Sequence, residues 1–464
     1  MVDIQDVSFS YNETEKQQLN NLSLDIRKGE FILLCGRSGC GKTSITKLIN
    51  GLIPHFIEGH TKGQVTTAGF DIANTAMYIL STKIGSVFQN PKSQFFNIDS
   101  NSELAFGLEN IGVAPQDIRD RMDEVVKELE IHKLTGRNIF NLSGGEKQIL
   151  AFASVHTMNP DVYVLDEPSS NLDLQTIQIL KEQLQKIKQM GKTVVIAEHR
   201  TYFLTELIDR VFYIDQGEVK HVFTRDEFLA IDEYTRKKMG LRSFHLELPD
   251  MKEQSLMNDS ELVVANLTYK LKEKTILKDI SFQANSGEVI GILGGNGTGK
   301  TTLIRCLAGL KKETSGTIQL NHQTLKPKQR NEICYMIMQD VNHQLFGESV
   351  WDECLLFDKT VNETEIKNVL RILSLDSFID KHPMTLSGGQ KQRLAIATGL
   401  LAHKKVLIFD EPTSGLDFEH MCIVSGLIRE LANKGHIIFI VTHDMEFYQR
   451  TCDRAIFTDA SIQI

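Results

Sequence analysis

Gly36-Arg-Ser-Gly-Cys-Gly-Lys-Thr-Ser44 follows the apolar run Phe31-Ile-Leu-Leu-Cys35, and the same pattern returns as Gly294-Gly-Asn-Gly-Thr-Gly-Lys-Thr-Thr302 after Val289-Ile-Gly-Ile-Leu293. A strand, a glycine-rich loop and then a helix is the context in which backbone N–H groups and a helix N-terminus close round phosphate oxygens. Candidate phosphate-binding residues are therefore Gly36, Ser38, Gly39, Gly41, Lys42, Thr43 and Ser44, with Gly294, Asn296, Gly297, Gly299, Lys300, Thr301 and Thr302 in the second copy. The lysines would reach the terminal phosphates, and the hydroxyls of Thr43 and Thr301 would be offered to Mg²⁺.

Working outward, other segments repeat in the same order. Gln89 returns as Gln339, Leu142-Ser-Gly-Gly-Glu146 as Leu386-Ser-Gly-Gly-Gln390, Asp166-Glu-Pro168 as Asp410-Glu-Pro412, and His199 as His443. Lys42 and Lys300 stand 258 residues apart, the two Gln 250, and the Ser, Asp and His pairs 244. One fold is thus present twice, with 14 extra residues in the front half of the first copy, much of it expected before Gly63. The expected domains are 1–225 and 261–464, joined by a linker over 226–260 with a short helix near Asp226 to Met239.

Apolar runs such as Val162–Leu165, Val194–Ala197, Val406–Phe409 and Ile437–Val441 alternate with helical stretches, which predicts an α/β fold around a mostly parallel sheet. Met122, Val125, Val126 and Leu129, and likewise Ile366, Val369, Leu370 and Leu373, follow helical spacing, which places a helical subdomain between the Gln and Ser-Gly-Gly segments.

Asp166 and Asp410 close apolar strands, so each carboxylate is expected beside its phosphate loop, where it can hold Mg²⁺ through water, with Gln89 and Gln339 as further candidate ligands. Glu167 and Glu411 are then placed to polarise an attacking water. Ser143, Gly144 and Gly145, and Ser387, Gly388, Gly389 and Gln390, each open a helix and offer a second anion cradle.

The ordered set resembles two ATP-binding-cassette (ABC) ATPase domains covering essentially all 464 residues apart from the linker. The resemblance implies two P-loop nucleotide-binding domains, each with an antiparallel β subdomain beside the parallel core, that bind ATP and Mg²⁺ in a head-to-tail sandwich. One site would join Gly36–Ser44, Gln89, Asp166, Glu167 and His199 to Ser387–Gly389 and Asp417. The other would join Gly294–Thr302, Gln339, Asp410, Glu411 and His443 to Ser143–Gly145 and Asp173. His199 and His443 resemble the switch His of the family, and Tyr11 and Tyr269, each 31 residues before its lysine, the aromatic that stacks on adenine. Glu146, where the second copy has Gln390, brings a carboxylate toward a triphosphate and is expected to make the sites unequal.

Asn50-Gly-Leu-Ile-Pro-His-Phe-Ile-Glu-Gly59, Val87-Phe-Gln-Asn-Pro-Lys-Ser-Gln-Phe-Phe96 and Glu103-Leu-Ala-Phe-Gly-Leu-Glu-Asn110 resemble the energy-coupling factor (ECF) group of micronutrient importers, with a thinner echo over Met338–Phe346. That resemblance implies an integral-membrane T-component and a substrate-binding membrane subunit as partners, and a peripheral position on the cytoplasmic face of the membrane. The rival readings are a tandem cassette acting on ribosomes, of the ABC-F type, and the tandem ATPase of another importer. A net charge of −9 without a long basic run argues against nucleic acid. Apolar runs of five or six residues are buried-strand lengths, far below the roughly 20 needed to cross a bilayer. Seven scattered cysteines, odd in number, read as small buried apolar residues of a reducing compartment.

Overall fold

Alternate residues of Phe31-Ile-Leu-Leu-Cys35 enter different layers, because successive strand side chains point to opposite faces. Phe31, Leu33 and Cys35 pack among the helices, whereas Ile32 and Leu34 pack against an antiparallel sheet. An apolar strand covered on both faces is thereby the centre of each three-layered half. The computed structural model describes residues 1–12, 17–170, 172–246, 260–356, 361–413 and 415–458. These form two units, Met1–His245 and Leu246–Ile464.

In the first unit the core sheet has the spatial order Glu218–Thr224, Arg210–Asp215, Phe31–Gly36, Thr193–Ala197, Val162–Asp166, Ile84–Val87. Only the pairing of the first two strands is antiparallel. In the second unit the order is Cys334–Ile337, Val406–Asp410, Ile437–Val441, Val289–Leu293, Arg454–Phe457, parallel throughout. Each unit adds a four-stranded antiparallel sheet, built around Val2–Tyr11 and Leu262–Leu271 respectively. The expected helical subdomains are present, with Ser100–Asn110, Pro115–Glu128 and Gly144–Thr157 in one unit and Val350–Leu355, Glu363–Ile372 and Gly388–Leu401 in the other.

Two details depart from the sequence reading. Gly63 and Gly316 occupy the same bulge, each with its Cα facing two carbonyls of the neighbouring strand, and lie 253 residues apart. Only five of the 14 extra residues therefore precede Gly63, and the rest are spread behind it. The segment from 226 opens with two helices, Arg225–Leu229 and Glu233–Lys238, in place of one. Thr224 and Asp232 cap them separately, through Glu227 N and Thr235 N, so the second helix starts afresh at its own cap. Phe228, Leu241 and Phe244 are buried in the core of the first unit. The later part of the expected linker, 247–259, lies outside the described residues.

Candidate nucleotide-binding sites

In the first unit, Gly36 ends a core strand with φ 145°, and a Cβ there would lie 2.1 Å from the carbonyl oxygen of Ile214. Gly41 has φ 114° and Gly39 is exposed. Such a loop brings backbone close to a ligand in a way other residues do not. Lys42 begins the following helix and is 5% exposed. Its ammonium donates to the carbonyls of Gly36 (2.9 Å) and Arg37 (3.0 Å). Lys300 repeats this on Gly294 (2.8 Å) and Gly295 (2.7 Å). Gly294 (φ 151°) and Gly299 (φ 101°) repeat the backbone; Asn296 and Gly297 are exposed at the loop tip. An inward-curled lysine at the mouth of a glycine cradle fits a polyphosphate.

The acidic residues converge on the first loop. Thr43 Oγ1 donates to Asp166 Oδ1 (3.2 Å), and Gln89 Nε2 to Glu167 Oε2 (2.8 Å). His199 Nε2 stands 3.5 Å from Glu167 Oε1. Hydroxyl, carboxylate and amide oxygens side by side are the hard donors that Mg²⁺ prefers. Burial raises the carboxyl of Asp166 above its ordinary range despite the Thr43 hydroxyl and Lys42, and pushes Glu167 up to about 8 despite Lys42. A carboxyl raised into this range can both hold and release a proton near neutral pH.

The second unit places the same groups with differences. His443 Nε2 is 3.5 Å from Glu411 Oε1, and His443 N donates to Glu411 Oε2. Burial pushes Asp410 up to about 6 against Arg305 and Lys300. Thr301 is exposed, Thr302 half-buried, and Gln339 is set in the loop after Cys334–Ile337. Both glutamates carry the left-handed backbone, Glu167 at φ 45° and Glu411 at φ 52°, and their N–H groups donate to Ala197 O and Val441 O. That strain sits where each core strand hands over to the carboxylate.

Ser143 and Ser387 cap the helices Gly144–Thr157 and Gly388–Leu401, each accepting the N–H of the residue three positions on, Glu146 or Gln390. Ser143 N donates back to Glu146 Oε2 (2.8 Å), and Arg137 Nη1 meets Glu146 Oε1 at 2.6 Å. Burial would raise this carboxyl, but the Ser143 N–H and Arg137 outweigh it and hold it below its ordinary value. The expected repulsion from Glu146 is thus compensated within the first unit. Gln390 occupies the same capping position, its Oε1 accepting Ser387 N at 2.9 Å.

Tyr11 donates or accepts through its hydroxyl with Ser44 Oγ (2.9 Å) and meets Phe9 edge-on, with ring centroids 4.8 Å apart. Tyr269 lies under the ammonium of Lys311, 4.8 Å from its ring centroid. One group escaped the sequence reading. Glu198, 2% exposed, accepts from the N–H of Ser169, His199 and Arg200. In the second unit the residues flanking the His are Thr442 and Asp444, and Asp444 accepts from Thr413 Oγ1 (3.0 Å). The buried carboxylate has changed sides of the histidine, a difference that a search for the histidine alone does not reveal.

The loop after each Gln is held by a buried carboxylate. Glu103 Oε2 accepts from the N–H of Phe96 (3.1 Å) and Asn97 (2.9 Å), as Glu353 Oε2 does from Phe346 (2.7 Å) and Gly347 (2.5 Å). Phe96 is left 75% exposed and Phe346 76%. No helix among the described residues is long and apolar enough to cross a membrane.

These paired loops, strand-end carboxylates and capped Ser-Gly-Gly helices define two ABC-type ATP-binding domains. The ABC transporter family profile matches residues 19–170 and 277–414, and the chain belongs to that family. Its domains are ABC ATPase domains, which bind ATP and generally Mg²⁺. A Treponema denticola protein named "Putative ABC transporter ATP-binding protein" is 45% identical over 98% of this chain and 95% of its own length. "Putative HMP/thiamine import ATP-binding protein YkoD" of Bacillus subtilis is 32% identical over 98% of this chain and 89% of its own. Among solved structures, a model of ribosome-bound archaeal Pelota and ABCE1 matches with a TM-score of 0.70 and 25% identity, over 97% of this chain and 76% of that one.

Proposed function

We propose that this chain is the ATP-hydrolysing motor of an ECF-type importer of a vitamin or other micronutrient, driving an integral-membrane T-component and a substrate-binding membrane subunit. Each ATP is held on the phosphate loop of one unit, by Lys42 or Lys300, and pinned by the Ser-Gly-Gly helix of the other. Thr43 with Asp166 and Gln89, and Thr301 with Asp410 and Gln339, hold Mg²⁺. Glu167 and Glu411 take the proton of the attacking water, His199 and His443 orient at the terminal phosphate, and Tyr11 and Tyr269 face the adenine. ATP favours the closed arrangement because it touches both units, and hydrolysis removes that bias.

The observation that carries the transport reading is the matched display of Phe96 and Phe346. Each is a large aromatic left in solvent while its backbone is fixed by a buried glutamate, a few residues from the Gln that bonds the candidate base in the first unit. A fixed, exposed aromatic is an anchor for an apolar partner surface. The import function in the name of the Bacillus subtilis relative supports the same direction. A ribosomal role has the solved-structure likeness in its favour.

A photo-crosslinking residue placed at Phe96 or Phe346 in cells, followed by mass spectrometry, separates these readings. Cross-links to a polytopic membrane protein, lost when cells lack it, are expected. Cross-links to ribosomal proteins at both positions would replace the importer by the ribosomal role.

A further inference from the structure

Arg37 is the second residue of the first phosphate loop, and its side chain turns away from the cradle. Its Nη2 donates to the carbonyl of Lys238 at 2.9 Å, across 201 positions of sequence. Lys238 is the last residue of the helix Glu233–Lys238, whose closing carbonyls carry partial negative charge and favour a cation. The segment is held there by several independent bonds. Tyr213 donates to Met239 O (3.0 Å) and Arg236 Nη1 to Leu241 O (2.8 Å), while Phe244 packs on Phe228 with ring centroids 4.4 Å apart.

Gly240 closes the helix with φ +74°, Gly240 N donating to Lys237 O and Leu241 N to Arg236 O. This is a left-handed cap that glycine adopts at no steric cost. The site also needs glycine for a second reason, since a Cβ would lie 2.9 Å from Arg37 Cγ. The other end of Arg37 reaches the chemistry: its carbonyl is one of the two that hold the Lys42 ammonium. In the second unit this position is Gly295, which offers Lys300 the same carbonyl at 2.7 Å and has no side chain to be held.

We propose that Arg37 is a positioning residue that couples nucleotide binding on the first phosphate loop to docking of the 233–245 segment. The docked segment fixes Arg37, and through its backbone the loop and Lys42, in the shape that receives phosphate. The second loop lacks this tie, so the coupling belongs to one site only. Coupling is reciprocal: whatever docking adds to nucleotide affinity, nucleotide adds to docking. The segment is the last stretch packed on the first unit before residues 247–259.

The inference rests on the reading that Gly36–Ser44 holds nucleotide, and the test keeps the two apart. In the full chain carrying Lys300→Ala, calorimetric titration with Mg²⁺ and a non-hydrolysable ATP analogue reads the first loop alone. Arg37→Ala and Gly240→Ala are each expected to weaken binding about 5- to 20-fold, and Arg37→Lys, which still donates to Lys238 O, by less than about threefold. In the full chain carrying Lys42→Ala instead, which reads the second loop, Arg37→Ala is expected to change nothing. Hydrogen–deuterium exchange over 233–245 should slow when analogue is added to Lys300→Ala protein, and fail to slow when Arg37→Ala is also present. Unchanged affinity in Arg37→Ala, or equal protection of 233–245 with and without it, overturns the coupling. Binding that survives Lys42→Ala undiminished in the Lys300→Ala chain overturns the phosphate-loop reading itself, and the coupling with it.

Discussion

Gln89 Nε2 lies 2.8 Å from Glu167 Oε2, so the side chain at the edge of an exposed loop is hydrogen-bonded to the carboxyl proposed as the base. A displacement of that loop by a bound partner would move the hydrogen bond, and with it the environment of the base. Replacing Glu167 by Gln keeps the shape and removes the proton acceptor. Single-turnover hydrolysis is expected to fall by about 10²–10⁴-fold, with analogue affinity retained within a few-fold. A Glu167→Gln chain, also carrying Glu411→Gln to silence the other site, that still turns over at the rate of Glu411→Gln alone would remove Glu167 from the role.

The raised carboxyl of Glu167 also sets a pH dependence of stability. Its folded value, about 8, stands above the ordinary 4.5, so between these limits the folded state holds a proton that the unfolded chain has released. Stability therefore falls as pH rises from about 4.5 to about 8. With about 1.4 kcal/mol per unit as the upper scale, the term is on the order of a few kcal/mol. Glu167→Gln should raise the melting temperature of the nucleotide-free protein at pH 8 and hardly at pH 5. A gain independent of pH would show that burial of the charge is not its cause.

His156 is fully buried; its Nδ1 pairs with the Tyr163 hydroxyl (2.7 Å) and its Nε2 with Glu128 Oε2 (2.9 Å). The second unit has Leu400 and Leu407 at the corresponding positions. His156→Leu alone leaves the Tyr163 hydroxyl without its partner and should cost about 1–3 kcal/mol. Adding Tyr163→Leu should recover part of that loss, giving a coupling of roughly 0.5–3 kcal/mol in a double-mutant cycle read by denaturant unfolding. Strict additivity would mean that the pair does not act as a unit.

Glu146 and Arg137 make a partly exposed pair at 2.6 Å. Because Arg137 and the Ser143 N–H already compensate the carboxylate, Glu146→Gln should change steady-state ATPase activity by less than about threefold. Arg137→Met, which leaves the charge at the helix entrance, should weaken analogue binding more than Glu146→Gln does, with a stability change within about 1 kcal/mol. The reverse order would restore Glu146 as a source of inequality between the sites.

The parallel cores and helical subdomains were legible because their signals are local: apolar runs of strand length, helical spacing, and glycine loops directly after strands. Lys42, Asp166 and Gln89 were legible because repetition at matched offsets tied together residues that the fold brings close. Glu198 was not, since a glutamate after Ala197 has no local mark and acquires its role by accepting three N–H groups in the folded chain. The packing of 226–245 was missed for the opposite reason. Its composition is largely polar, and the apolar residues that reach the core, Phe228, Leu241 and Phe244 with Leu229, Ile231 and Met239 packed against them, follow a spacing that matches no single regular element.

That packing settles where the first half can be cut free. A fragment ending at 225 would uncover the places of Phe228, Leu241 and Phe244, each side chain worth about 1.5–3 kcal/mol when buried, and would release the carbonyl that Arg37 holds. A fragment running to His245 keeps all of them. Anyone dissecting the two halves to compare their enzymology should therefore treat those twenty residues as part of the first enzyme, because a shorter piece would blame the catalytic machinery for the loss of its own lining.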